Sequence, residues 1–236
     1  MKPRLLDLFC GAGGAAMGYA DAGFEVVGVD LSPQKNYPFE FHQGNALNAA
    51  RYLTGFDAIH ASPPCQAYSI TKHTHKKEHP DLVGITRELL DDIGLPYVIE
   101  NVVGAPMLPS ALLCGTVFDL TATDTDGETL YLKRHRLFEL SWKVGGWQCN
   151  CAVYRASGAR VAGVYGGGSR DKKHAQYVRH GGYTPAKSIQ EKLMGIDWMT
   201  QKELHQAIPP RYTQEIGQQL LQHLAPPVGT QPTKGK

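Results

Sequence analysis

Residues 5–14 read Leu5-Leu6-Asp7-Leu8-Phe9-Cys10-Gly11-Ala12-Gly13-Gly14, a short apolar run that stops in three glycines within four positions. The run suits a buried strand, the glycines a tight turn, and Ala15 to Ala22 a following helix. Val26-Val27-Gly28-Val29-Asp30 then supplies a second strand closed by an acid. Together these make the first βαβ unit of a doubly wound sheet. The alternation continues with a short strand near Phe39 to His42, a helix around Leu47 to Leu53, and a strand from Phe56 to Ala61. A polar loop from Gln66 to Pro80, an amphipathic helix around Leu82 to Ile93 and a strand from Tyr97 to Val103 follow. Crossovers this short imply an α/β fold whose mostly parallel sheet is covered on both faces. Past Pro109 the alternation fades, although Tyr131 to Trp142 suits further strands. Helical character returns from Ser188 to Leu224, where Tyr212, Ile216, Leu220 and Leu224 recur every fourth position behind Pro209-Pro210.

The 236 residues, 42% hydrophobic and 19% charged, exclude collagen, coiled coil and wholesale disorder. No stretch approaches the roughly 18 apolar residues of a bilayer span, and Met1-Lys2-Pro3-Arg4 leads into a strand rather than a signal peptide. A soluble cytoplasmic protein is the expectation. Five scattered cysteines (Cys10, Cys65, Cys114, Cys149, Cys151) suggest free thiols in a reducing compartment. The net charge of +2 conceals an asymmetry. Residues 143–190 carry eight Lys/Arg against Asp171 alone, a local charge of +7 that leaves −5 elsewhere, and nine of the 26 glycines lie in the same span. A basic, glycine-rich insert on an acidic body is the usual footprint of contact with a polyanion, although a solvated surface has the same composition.

The glycine turn lets backbone approach a ligand and aims helix N–H groups at it. Its Gly-x-Gly-Gly spacing is not the dinucleotide fingerprint, and Asp30 sits where a carboxylate accepts both hydroxyls of a ribose. A nucleoside-bearing cofactor without a pyrophosphate fits best. Beyond the strand ending at Ala61, Ser62-Pro63-Pro64 fixes the chain at the sheet edge just before Cys65. A thiol so preorganised is a candidate nucleophile. Glu100, at the end of the next strand, reaches the same edge, and Arg134-His135-Arg136 projects two cations from one strand face. Nucleophile, acid and cations are the parts needed to attack an electron-poor ring.

Asp7 to Gly14, Pro64-Cys65-Gln66 with Ser69, Glu100-Asn101-Val102, Arg134-x-Arg136 and Ala207-Ile208-Pro209-Pro210, in this order, resemble the DNA cytosine-5 methyltransferases. The resemblance implies a Rossmann-like fold dependent on S-adenosyl-L-methionine, carrying a small target-recognition subdomain. It divides the chain into a catalytic domain of residues 1–142 plus 187–224 and a recognition region at 143–186, and the polar, proline-rich composition of residues 225–236 leads us to expect a disordered tail. It implies that Phe9, Cys10, Gly11, Ala12, Gly13, Gly14, Asp30, Leu31, Asn45, Ala46, Pro63, Gln206 and Ala207 line the cofactor. Cys65 matches the nucleophile that adds to C6 of a flipped cytosine. Glu100 matches the acid at N3 and the exocyclic amine, and Arg136 with Arg134 binds the O2 side and steadies Glu100. Gln66, Ser69, Lys72 and Lys76, in the loop that closes over DNA, are expected at nucleic acid together with Arg155, Arg170, Lys172, Lys173 and Arg179. The implied partner is double-stranded DNA, and the implied setting is restriction-modification or phage DNA protection in a prokaryotic or phage-infected cell. No obligate protein partner is implied, and a monomer is expected.

No metal is assigned. His73, His75 and His79 lack companion acids or cysteines at ligand spacing, and Cys149-Asn150-Cys151 with His174 and His180, the better zinc candidate, is read as loop residues. Two departures from the family pattern bear on the site. Leu132 stands where a glutamine usually precedes the arginines, and His205-Gln206 replaces Gly-Asn near the cofactor's carboxylate end. A transfer-RNA methyltransferase of the same fold remains an alternative, as does a catalytically silent DNA-binding relative. An exocyclic-amine methyltransferase is disfavoured because Cys65 replaces the aromatic residue of Ser-Pro-Pro-Tyr.

Overall fold

Parallel pairing of apolar strands sets the half of the molecule that carries the glycine turn. A computed structural model describes residues 1–52, 54–64, 81–143, 146–166 and 183–225. Strand β1 (Arg4–Leu8) lies between β2 (Glu25–Asp30) and β4 (Ala58–Ala61), parallel to both. Strand β3 (Glu40–Gln43) extends the sheet beyond β2, and β5 (Tyr97–Asn101) extends it beyond β4. Two further strands, β6 (Ser110–Leu113) and β9 (Arg136–Leu140), complete a seven-stranded order β3-β2-β1-β4-β5-β9-β6 in which β9 is antiparallel to both neighbours. The α/β class and the mostly parallel sheet therefore stand as expected.

The alternation of side chains along β1 divides the core. Leu5 packs with Ala16, Tyr19, Tyr212, Ile216 and Leu220, whereas Leu6 and Leu8 pack on the other face with Val27, Val29, Ile59, Leu90 and Ile99. The first face is covered by α1 (Gly14–Ala22) and the C-terminal α7 (Pro210–Leu224). The second is covered by α2 (Ala46–Tyr52) and α3 (Leu82–Ile93), the latter capped by Asp81, whose carboxylate accepts from Val83 N–H at 3.1 Å. α1 and α7 approach so closely at Gly18 that a Cβ there would stand 2.0 Å from the Pro210 carbonyl oxygen. Only glycine permits that crossing.

The expected boundary at residue 143 is not where the second structural unit begins. A three-stranded sheet joins β7 (Thr121–Thr123) and β8 (Thr129–Leu132) to β10 (Arg160–Ala162), so strands from both sides of residue 143 share it. Its core, built on Leu130, Leu132, Ala162 and Val164, continues into Leu193, Met194 and Leu204 of α5 (Lys187–Met194) and α6 (Gln201–Gln206). A short helix α4 (Cys151–Ala156) also lies inside the stretch read as loop-rich. Short strands with weak patterning give little local signal, which is why the sequence left them as loops. No helix of the described residues is long and apolar enough to cross a membrane. Of the basic insert, Arg155 is exposed, but Arg160 pairs with Asp126 (3.2 Å) and Glu128, and Lys187 pairs with Glu191.

Candidate active site

The chain runs outward from β1 through β2 to β3, then returns to the other side of β1 for β4 and β5. The carboxyl ends of β1 and β4 flank that reversal, where open α/β sheets form a crevice. A cavity of about 650 Å³ opens there, within the range of small-molecule sites. Phe9, Cys10, Gly11, Ala12, Gly14, Asp30, Leu31, Asn45, Ala46, Pro63, Gln206 and Ala207 all line it, as do Glu100 and Arg136. The cofactor set read from the sequence is thus brought together, with one exception. Gly13 is turned away: a Cβ on it would stand 2.7 Å from Pro38 Cδ and 3.0 Å from the Tyr37 ring. Its positive φ of 83° caps α1, so its role is to turn the chain and admit Tyr37.

The turn is strained where the cavity needs it. Phe9 holds φ at 57°, a region that residues with a Cβ rarely occupy, and Gly11 follows at 50°. A Cβ on Gly11 would meet nothing within 4 Å, so this glycine leaves open space at the cavity wall. Asp30 accepts the Gly11 N–H at 3.1 Å through one oxygen and the Ser32 N–H at 2.9 Å through the other. Each oxygen keeps a lone pair for a ligand hydroxyl. Leu31 beside it is 72% exposed, an apolar side chain held over the opening. Asn45 caps α2 by accepting from Leu47 N–H at 3.0 Å, which leaves its amide N–H groups as the donors a ligand would meet. Asp7, buried in the same wall, is held well above the ordinary carboxylate range by desolvation, and the Asp30 charge adds to the effect.

Glu100 occupies the opposite end. It is 6% exposed and sits 3.0 Å from Arg136 Nε. Burial raises its carboxyl above the ordinary value, against the pull of Arg136, Arg134 and a hydrogen bond from Ser62. Behind Ser62 runs a chain the sequence did not disclose. Tyr19 OH lies 3.0 Å from His60 Nδ1, and His60 Nε2 lies 2.9 Å from Ser62 Oγ. Desolvation lowers His60 to about 3, so the ring is neutral, with one nitrogen donating and the other accepting. Because Ser62 donates to Glu100, its Oγ accepts from His60 Nε2–H, and Nδ1 then accepts from the Tyr19 hydroxyl. Asn101 adds a second tie the sequence missed: its amide donates to the Pro63 carbonyl at 3.0 Å, fixing β5 to the Pro63-Pro64 turn. Both ties join segments far apart in the chain, for which linear spacing offers no signal.

Arg134 does not stand beside Glu100, contrary to the sequence expectation. Its fully buried guanidinium donates to the Val164 carbonyl at 2.6 Å and the His205 carbonyl at 2.9 Å, lies over the Tyr165 ring, and does not line the cavity. Its charge reaches Glu100 only through space, so it is a positioning residue that clamps the start of β9 to the second unit. The departure at His205 has a structural account as well. The His205 ring meets Gln190 (3.1 Å) and Gln201 (2.9 Å), and its carbonyl receives Arg134. Cys65, Gln66, Ser69, Lys72, Lys76, Arg170, Lys172, Lys173 and Arg179 lie outside the described residues, as do His73, His75, His79, His174 and His180.

Residues 3–86 match the family model for C-5 cytosine-specific DNA methylase. No curated protein matches the chain by sequence. Among solved structures, a methyltransferase of Entamoeba histolytica, EhMeth, superposes with a TM-score of 0.59 at 12% identity, over 96% of this chain and 100% of its own. The Dnmt2 methyltransferase of S. pombe does so with 0.56 at 14% identity, over 94% and 99%. A prophage-encoded protein of E. coli, named as a DNA modification methyltransferase, gives 0.56 at 13%, over 93% and 99%. Residues 3–86 thus resemble the C-5 cytosine-specific DNA methylases by sequence, and nearly the whole chain shares its fold with these solved methyltransferases.

Proposed function

We propose that the protein is a DNA (cytosine-5-)-methyltransferase that attaches a methyl group to C5 of a cytosine swung out of duplex DNA. The observation that carries this reading is a buried Glu100, its carboxyl raised above the ordinary value by desolvation and paired with Arg136, in the same cavity as a glycine turn and an Asp30 with free lone pairs. S-adenosyl-L-methionine, when bound, supplies an electrophilic methyl group. Phe9 to Ala12, Gly14, Asp30, Leu31, Asn45, Gln206 and Ala207 would hold it, and the available Asp30 lone pairs and the open face of Gly11 fit its ribose and backbone approach.

The chain's own residues supply the rest. Glu100 gives its proton toward cytosine N3, which makes C6 more electrophilic. Cys65, following Pro64, adds to C6 as a thiolate, so that C5 gains enamine character and accepts the methyl group. Loss of the C5 proton to a base then expels the thiolate and restores the ring. Arg136 holds Glu100 against rotation and offers charge at the O2 side. A stacked base cannot present C6 to a thiol, so the base must leave the helix. The exposed Arg155 and the basic stretch around residues 170–179 would meet phosphate. The setting we favour is modification or protection of phage or prokaryotic DNA in the cytoplasm, by a monomer.

The test is duplex DNA containing 5-fluorocytosine with S-adenosyl-L-methionine. Fluorine at C5 blocks the elimination, so a protein–DNA adduct should survive denaturation and vanish in Cys65→Ser. Trapping on transfer RNA but not on DNA would move the substrate to RNA, and no trapping by cofactor-bound protein on either would refute the mechanism.

A further inference from the structure

Among the described residues, a group of reactive side chains outside the cavity lies where the seven-stranded sheet meets the second unit. Cys114 follows β6, His135 immediately precedes β9, and Cys149 and Cys151 lie at the start of α4. Their ligand atoms all lie within 4.8 Å of one another. Cys114 Sγ is 3.4 Å from Cys151 Sγ, and His135 Nε2 is 3.1 Å from Cys149 Sγ and 3.5 Å from Cys151 Sγ. A tetrahedral zinc ion with Zn–S near 2.3 Å and Zn–N near 2.0 Å sets donor separations of roughly 3.5–3.8 Å. The four donors are therefore already gathered to the scale of one coordination sphere.

We propose that Cys114, His135, Cys149 and Cys151 bind one Zn²⁺ as a closed structural site that staples the second unit to the edge of the catalytic sheet.

Thiol burial alone does not explain the arrangement. Cysteines packed as small hydrophobes have no reason to converge on the nitrogen of an imidazole, and here Cys114 lies 35 and 37 residues from the two members of the Cys-x-Cys pair it meets. Groups that orient thiolates are also present. Thr116 Oγ1 lies 3.5 Å from Cys151 Sγ and 3.7 Å from Cys149 Sγ, and the Cys151 N–H points at Cys149 Sγ at 3.4 Å. Three thiolates and one imidazole favour zinc over hard cations, and four protein ligands leave no open position for catalysis. Such a centre carries a net charge of −1, adjacent in the chain to buried Arg134, whose hydrogen bonds among the described residues go to carbonyls. The site also has a mechanical consequence. His135 stands between the clamp Arg134 and the Glu100 partner Arg136, so a metal there fixes the strand start from which both arginines project.

The sequence offered half of this set. Cys149-Asn150-Cys151 was visible as a pair, but the partners it takes are Cys114 and His135, which lie 35 and 14 residues upstream of Cys149.

The full chain, purified under reducing conditions without added metal, should contain one zinc per molecule by mass spectrometry of the elements. Exchange with Co²⁺ should give the visible spectrum of a tetrahedral thiolate complex. Cys149→Ser should lose the metal, whereas His135→Cys should keep it with a cobalt spectrum altered toward four thiolates. Cys65→Ser, inactive in methyl transfer, should retain full zinc, which separates this site from the nucleophile. Reduced protein that holds no zinc and takes up neither Zn²⁺ nor Co²⁺ would overturn the proposal. So would iron in place of zinc, or Cys149→Ser with undiminished metal. Should Cys149→Ser not fold, the cobalt spectra of wild type and His135→Cys decide.

Discussion

The two ends of the sheet use buried polar groups for different purposes. At the parallel end, apolar β1, β2, β4 and β5 and the four covering helices supply a core on both faces, and the polar groups sunk into it converge on the cavity. Asp7, His60 and Glu100 each have an ionisation displaced by burial. At the other end, a sheet of strands only three or four residues long carries the second unit, and buried polar groups join it to the body. Arg134 ties β9 to the Val164 and His205 carbonyls, and Tyr212 OH donates to the Arg134 carbonyl at 2.8 Å. A large core tolerates strained, desolvated groups for chemistry, whereas a small one needs staples.

That contrast can be broken by substitution. Glu100→Gln keeps size but removes the ionisable proton, so methyl transfer should fall by about 10²–10⁴-fold while the unfolding midpoint holds or rises, because a desolvated acid is relieved. A large stability loss would show that Glu100 is instead a structural ion-pair partner of Arg136. Arg134→Met should do the reverse. Two buried carbonyls lose a charged donor, and we expect a loss of about 2–4 kcal/mol in chemical denaturation, with S-adenosyl-L-methionine affinity much less affected. Equal effects on affinity and stability would erase the distinction between the two ends.

The smallest expected effect, about 2 kcal/mol between pH 7 and 5, is that of pH on the parallel end. His60 falls to about 3 in the folded protein, whereas an unfolded histidine titrates near 6.5. The unfolded state therefore binds the additional proton, and stability is lost as pH drops from about 6.5 toward 3, by up to roughly 1.4 kcal/mol per pH unit. Above that window the group contributes no pH dependence. Denaturation of wild type and His60→Gln between pH 7 and 5 should show a shallower acid decline in the variant, and parallel curves would mean that His60 is protonated in the fold.

How much of this was legible follows from where each signal lies. Leu5 to Gly14 and Val26 to Asp30 are contiguous, so the βαβ unit, the glycine turn and Asp30 could be read in order. α3 was legible around Leu82–Ile93 because its apolar period is local. β7 and β10 were missed because three residues carry no period, and Arg134 was misplaced because alternate strand positions say which face a side chain shares, not what that face meets.

Sequence by itself thus determined the sheet class and the position of the crevice, because these depend on interactions between near neighbours in the chain, whereas most of the residues that line the cavity were named only through the family resemblance. Only the tertiary structure decided that Tyr19, His60 and Ser62 stand behind Glu100, that Arg134 is a clamp, and that Cys114 and His135 meet Cys149 and Cys151. Those contacts join side chains from elements that become neighbours only once the core has packed, and the pattern along the chain holds no record of that distance.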